Sequence, residues 1–146
     1  DLLHRLRPYP NSGLNVVEMV ESLIAEKHAD HPGVLEFNLV TDGSFDHVSN
    51  EVATAAYRIC QEALTNVQRH ANASKVDVSM SCGDEGLKIL VTDNGITRDK
   101  DTIKKGLGIT GMQDRAMACG CHVELKTNDE HGLMISACLP LSKEPA

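Results

Sequence analysis

The chain has 146 residues, 41% of them hydrophobic, with 21 acidic against 14 basic side chains for a net charge of −7. That length buries one core without disulfide or metal staples, so a single domain is the expectation. The basic residues are scattered rather than striped and only 3% of the chain is aromatic, which argues against a nucleic-acid partner; no apolar run approaches the roughly 18 residues of a membrane span, so no membrane contact by this domain is expected.

The sequence opens at Asp1 without a methionine or a basic-then-apolar leader, which predicts an excised piece of a longer protein and no secretory signal. Leu2, Leu3 and Leu6 on a short basic segment ending at Arg7-Pro8 read as the last turns of a helix begun upstream. Pro10-Asn11-Ser12-Gly13 then marks a boundary, giving a tail over 1–10 and a domain over 11–146. Ser12 is the expected cap of a helix through about Ala29, with Val16, Val17, Met19, Val20, Leu23 and Ile24 inward. Val34 to Val40 alternates as a strand, and Thr41-Asp42-Gly43 reads as the turn after it.

From Ser49 as N-cap, Val52, Ala56, Ile59, Cys60, Ala63, Leu64 and Val67 recur at helical spacing as far as His70, the clearest helix in the sequence. Lys75 to Ser81 and Leu87 to Thr92 read as two strands of a hairpin. A glycine-rich stretch from Asp93 to Gly111 precedes a helix from about Ile109 to Cys119. Strands near His122 to Lys126 and Leu133 to Leu139 follow, separated by a turn over Asn128 to Gly132. Helices first and paired strands later predict an α+β fold, a two-layer sandwich whose mixed, mostly antiparallel sheet carries its helices on one face. The five cysteines (Cys60, Cys82, Cys119, Cys121, Cys138) match neither a CxxC pair nor a zinc-finger spacing and predict small buried thiols in a reducing setting.

Three segments carry chemistry. Steps of four residues place Glu62, Asn66 and His70 within about 80° of one another on the long helix, opposite the apolar stripe. One helix face then offers a carboxylate, an amide oxygen and an imidazole. A hard cation such as Mg²⁺ takes one or two protein oxygens and shares the rest with phosphate and water, which suits Asn66, while Glu62 can orient or deprotonate an attacking group. The strand Leu87 to Thr92 delivers Asp93 into an Asn94-Gly95 turn, where the carboxylate can accept from an exocyclic amine and Gly95 lets a flat ring approach. Lys105-Gly106-Leu107-Gly108-Ile109-Thr110-Gly111-Met112 opens a helix and frees backbone N–H groups to face an anion; it fits neither a Walker loop nor a dinucleotide fingerprint in context. Taken singly, each has an ordinary reading as a solvated helix face, an Asn-Gly turn or a flexible loop.

In this order and at these separations the three segments resemble the catalytic ATP-binding (Bergerat-fold) domain of bacterial sensor histidine kinases, in the nitrate-sensor-like branch. Glu62 to His70 is similar to that family's N box, Asp93-Asn94-Gly95 to its first glycine box, and Gly106 to Met112 followed by Asp114-Arg115-Ala116 to its second. Gly120 and the Gly132 to Pro140 stretch resemble its last block, and Leu2 to Pro8 resembles the exit from the dimerisation helices.

The resemblance implies Mg²⁺-ATP as cofactors. Asn66 would coordinate Mg²⁺, and Glu62 would assist phosphoryl transfer, touching the metal through water. Arg69 or His70 would contact phosphate oxygens. Asp93 would read the adenine amine with Gly95 beside the ring. Gly106, Leu107, Gly108, Gly111 and Met112 would form the lid and its helix entry. It also implies a two-component kinase that donates the γ-phosphoryl group to a histidine on its own dimerisation helices, absent here, then works with a response regulator. The whole protein would be a homodimeric, membrane-anchored sensor with this domain in the cytoplasm. Two positions depart from the family pattern: Thr97 stands where a second glycine is usual, and Leu133 rather than threonine follows Gly132. An anti-sigma-factor-type serine kinase and a non-catalytic nucleotide-sensing or interaction module remain the alternatives. Upstream sequence separates the first from a histidine kinase, and an ATP titration separates the second.

Overall fold

The computed structural model describes residues 15–30, 35–70, 73–95, 109–118, 120–128 and 132–141. The boundary near residue 10, Thr97 and the glycines at 106 and 108 lie outside these described residues. In chain order the elements are α1 (Val16–Asp30), β1 (Glu36–Gly43), α2 (Asn50–His70), β2 (Lys75–Gly83), β3 (Gly86–Asp93), α3 (Ile109–Ala118), β4 (His122–Asn128) and β5 (Gly132–Leu139).

The caps show why two of these elements start where they do. Helix α1 begins at Val16 rather than after Ser12 because Asn15 and Glu18 form a reciprocal capping box. The Glu18 N–H donates to Asn15 Oδ1 at 2.9 Å and the Asn15 N–H donates to Glu18 Oε1 at 3.2 Å, so two end donors are satisfied at once. Helix α2 begins as its sequence predicts: the Val52 N–H donates to Ser49 Oγ at 3.2 Å and the Ala53 N–H to the Ser49 carbonyl at 2.9 Å.

The sheet has the strand order β1-β2-β3-β5-β4. Only β1 and β2 run parallel, joined by the α2 crossover that such a pair requires; the remaining pairs are antiparallel. Strand β1 continues through Thr41, Asp42 and Gly43, which its composition marks as a turn, because these residues pair with Met80, Ser81 and Cys82 of β2. Backbone pairing along a neighbour outweighs the local turn propensity there. Strands β2 and β3 close a tight hairpin, with Gly83 opposite Gly86 across Asp84 and Glu85.

Alternation along the strands divides the sheet into two faces. Val76, Val78, Met80, Leu87, Ile89, Val91, Val123, Leu125, Ile135, Ala137 and Leu139 are buried together with Met19, Val20, Leu23, Ile59, Leu64 and Val67 from α1 and α2. The opposite face presents Asp77, Ser79, Lys88, Glu124 and Lys126 to solvent, as expected for a sheet with one face packed. The two-layer architecture, the mostly antiparallel sheet and the one-sided helices match the sequence-based expectation. At the end of the domain where α2 finishes, Lys27 Nζ of α1 donates to Thr65 Oγ1 at 2.9 Å and Gln68 Nε2 donates to the Lys27 carbonyl at 3.3 Å, fixing the last turns of the two helices side by side. Cys60, Cys82 and Cys121 are buried, and burial pushes the Cys60 thiol up to about 12, so it stays protonated and inert. Cys138 is exposed and Cys119 lies outside the described residues.

Candidate functional site

Helix α2 ends beside the start of β2, and Asp93 at the end of β3 pairs with Val76, the second residue of β2. Asp93 and the last turns of α2 therefore share one end of the domain. Asp93 is buried, at 3% exposure, one of two buried polar side chains among the described residues; the other is Asn66, at 4%.

Burial of Asn66 corrects the geometry expected from the sequence, where it stands opposite the apolar stripe. Asn66 lies seven residues after Ile59, so the two differ by only about 20° around the helix, and Ile59 is 1% exposed. Asn66 thus sits on the flank of the stripe. Its Nδ2 is buried with no hydrogen-bond partner. Glu62, one turn earlier, is half-buried and makes no hydrogen bond or ion pair with any described residue. The helix carries Arg69 and His70 in its last turn, but their side chains are outside the described set, as are those of Gly111 and Met112 in α3.

Asp93 is held by its surroundings. The Gly95 N–H donates to Asp93 Oδ1 at 2.7 Å, and the Leu133 N–H at the start of β5 donates to the same oxygen at 3.4 Å. Asp93 Oδ2 is buried without a partner. Burial pushes this carboxyl above its ordinary 3.8, and the bonds from Gly95 and Leu133 pull in the opposite direction. Two neighbours that sequence reasoning left out of the site frame it. Asn94 bonds to Ser74, just before β2, and to Lys75, its first residue, and Gly132 faces the carboxylate with φ +78°.

The donor set can be tested against the groups the sequence implies. A buried amide with one half-buried carboxylate a turn away fits Mg²⁺ that draws most of its oxygens from phosphate and water. It does not fit a metal held by protein alone, and among the described residues no three His, Cys, Asp or Glu side chains gather to hold an ion. A buried carboxylate oxygen with no donor fits the amine of a planar base. A mainly apolar cavity of about 730 Å³ lies elsewhere, between α1 and β1, and contains none of the predicted site residues.

A mixed five-stranded sheet with helices on one face makes a two-layer α/β sandwich, with two polar groups buried at one end. The same fold occurs in the ATP binding domain of PrrB from Mycobacterium tuberculosis, with a TM-score of 0.68 at 17% identity, covering 91% of this chain and 96% of that one. The family described as "Histidine kinase-, DNA gyrase B-, and HSP90-like ATPase" matches residues 51–143, and the chain belongs to it. The signal transduction histidine-protein kinase/phosphatase UhpB of Salmonella typhimurium is 31% identical over 141 residues, 95% of this chain and 27% of that protein. The sensor histidine kinase MctS of Rhizobium johnstonii is 35% identical over 145 residues, 97% of this chain and 31% of that protein. The chain therefore spans under a third of the length of these two relatives. Among the described residues, no helix is long and apolar enough to cross a membrane.

Proposed function

We propose that this chain is the ATP-binding catalytic portion of a two-component sensor histidine kinase, binding Mg²⁺-ATP and presenting its γ-phosphoryl group to a histidine on a dimerisation helix pair. The observation that carries the reading is the buried carboxylate oxygen Asp93 Oδ2, an acceptor left without a donor at one end of an ATPase-family fold, with the buried Asn66 amide at the same end. Buried polar groups without partners are rare and costly, and a ligand that pairs them repays the cost.

In this reading Asp93 Oδ2 accepts from the adenine amine, with Gly95 beside the ring. Asn66 through its amide oxygen and, through water, Glu62 would hold Mg²⁺, whose charge offsets that of the phosphates. Glu62 accepts the proton released by the attacking imidazole. Arg69 or His70, together with the segment from Gly106 through Leu107 and Gly108 to Gly111 and Met112, would surround the phosphates. Such a site works by positioning and charge neutralisation. A response regulator would take the phosphoryl group onward, and the whole protein would be a homodimer anchored in a membrane with this domain in the cytoplasm. The naming of UhpB and MctS as histidine kinases supports this assignment.

Calorimetric titration with Mg²⁺-ATP tests the binding step; saturable, magnesium-dependent binding is expected, and none at millimolar nucleotide would overturn the reading. Incubation with γ-labelled ATP tests the acceptor. The isolated chain is expected to remain unlabelled, and robust labelling on one of its own histidines would show that no outside acceptor is needed.

A further inference from the structure

Asp93 is the last residue of β3, so nothing in the sheet ladder beyond it fixes where its carboxylate points. Two neighbours do. On the β5 side, a Cβ on Gly132 would strike Asp93 Oδ1 and lie 2.7 Å from the Asp93 carbonyl oxygen and 2.9 Å from the Gly95 nitrogen. The carboxylate thus occupies space that any side chain at 132 would take, and φ +78° there already disfavours other residues. On the β2 side, every polar group of the Asn94 side chain is used. Its Oδ1 accepts from the Ser74 and Lys75 N–H groups, both at 3.0 Å, and its Nδ2 donates to Ser74 Oγ at 3.0 Å. The Asn94 N–H adds a fourth bond, to the Lys75 carbonyl at 3.2 Å. Ser74 immediately precedes β2 and Lys75 is its first residue, so Asn94 ties the strand end that carries Asp93 to the start of the strand that follows the helix carrying Asn66.

We propose that Asn94 and Gly132 are positioning residues that aim Asp93 Oδ2 and so set the base selectivity of the nucleotide site. The inference rests on the reading that Asp93 accepts an exocyclic amine. Asn94 is exposed, so its bonds replace bonds to water and add little net stability; what they supply is the fixed offset between the carboxylate and the start of β2. Gly132 keeps Oδ1 against the Gly95 and Leu133 donors, which leaves Oδ2 as the oxygen open to a base.

The test compares ATP with purine riboside triphosphate, which lacks only the amine, each titrated as its magnesium complex into the 146-residue chain. The unaltered chain is expected to prefer ATP by roughly 10- to 100-fold, the range for a hydrogen bond to a charged acceptor. Asn94→Ala should cut that preference at least about fivefold while changing affinity for the amine-free nucleotide less than about twofold, because only aim toward the amine is lost. Asn94→Asp keeps both acceptor bonds to Ser74 and Lys75 and should retain most of the preference. Gly132→Ala should abolish it; where that variant does not fold, Asn94→Ala decides. No preference in the unaltered chain would overturn the reading of Asp93 itself. A preference that survives Asn94→Ala, or equal weakening of both nucleotides, would overturn the positioning role and leave that reading standing.

Discussion

The two polar side chains buried at the site end are prepared in opposite ways. Asp93 has one oxygen held by backbone N–H groups from Gly95 and Leu133 and the other orphaned, so half of its capacity is spent on orientation. Asn66 has no such anchor among the described residues; its position follows from the helix alone, and its Nδ2 is left unpaired. A buried polar atom without a partner costs about 1–3 kcal/mol, so both places store a cost. In the proposed reading, the difference teaches where precision is needed: a planar base must be met at a fixed angle, whereas a hydrated cation tolerates a ligand placed by a helix turn.

The largest expected effect breaks the strand side of that comparison. Asp93→Asn keeps the acceptor for Gly95 and Leu133 but turns an NH₂ group toward the base amine, so Mg²⁺-ATP binding should weaken about 100-fold or more, as for a lost charged acceptor with a donor facing a donor. Calorimetry measures this, and affinity within twofold of the unaltered chain would remove Asp93 from its role. Asn66→Ala attacks the helix side. Binding should fall about tenfold and lose its dependence on magnesium, while thermal stability stays level or rises because an unpaired buried amide is gone. Unchanged magnesium dependence would exclude Asn66 as the ligand.

A third measurement sharpens the comparison through pH. Burial raises the Asp93 carboxyl above its ordinary 3.8, so the folded chain holds that proton more tightly than the unfolded chain does. The resulting stability is fully present below 3.8 and is lost as pH rises through the folded-state value. Asp93→Asn does not titrate, so the stability of the unaltered chain relative to this variant should decline as pH climbs above 3.8 and then level off. Thermal unfolding across that range reads the gap, and a gap independent of pH would mean that the carboxylate is not desolvated in the folded state.

Much of this was legible in the sequence because it depends on near neighbours. Ser49 and the apolar recurrence from Val52 to Val67 specify α2 with its cap, and an apolar strand ending in Asp93-Asn94-Gly95 marks the turn that holds the buried carboxylate. Other features depend on partners distant in sequence. Asn94 bonds to Ser74 across 20 positions and Leu133 reaches Asp93 across 40, so neither role shows in a local pattern. Strand β1 outruns its turn-like Thr41-Asp42-Gly43 end because β2 lies alongside. The burial of Asn66 was recoverable: its seven-residue offset from Ile59 places it at the edge of the stripe, and a polar residue at that azimuth is itself a signal. The Asn15 and Glu18 box was likewise present, three residues beyond Ser12.

The smallest effect separates fold from site along α2 itself. This helix has 21 residues and so runs about 30 Å, with its cap at Ser49 and its polar cluster in the last turns. Ser49 Oγ satisfies one N–H of the first turn, that of Val52. Ser49→Ala removes that acceptor and should lower stability by about 1 kcal/mol. The backbone bonds from Ala53 to the Ser49 carbonyl and from Ser49 to the Leu141 carbonyl remain. Nucleotide affinity should be unchanged once the variant is measured well below its unfolding temperature, because the capped end makes no contact with Asp93 or Asn66. Weakened binding at full folding would show that strain at the first turn reaches the last, and the helix face would then be set by the whole helix rather than by its final turns.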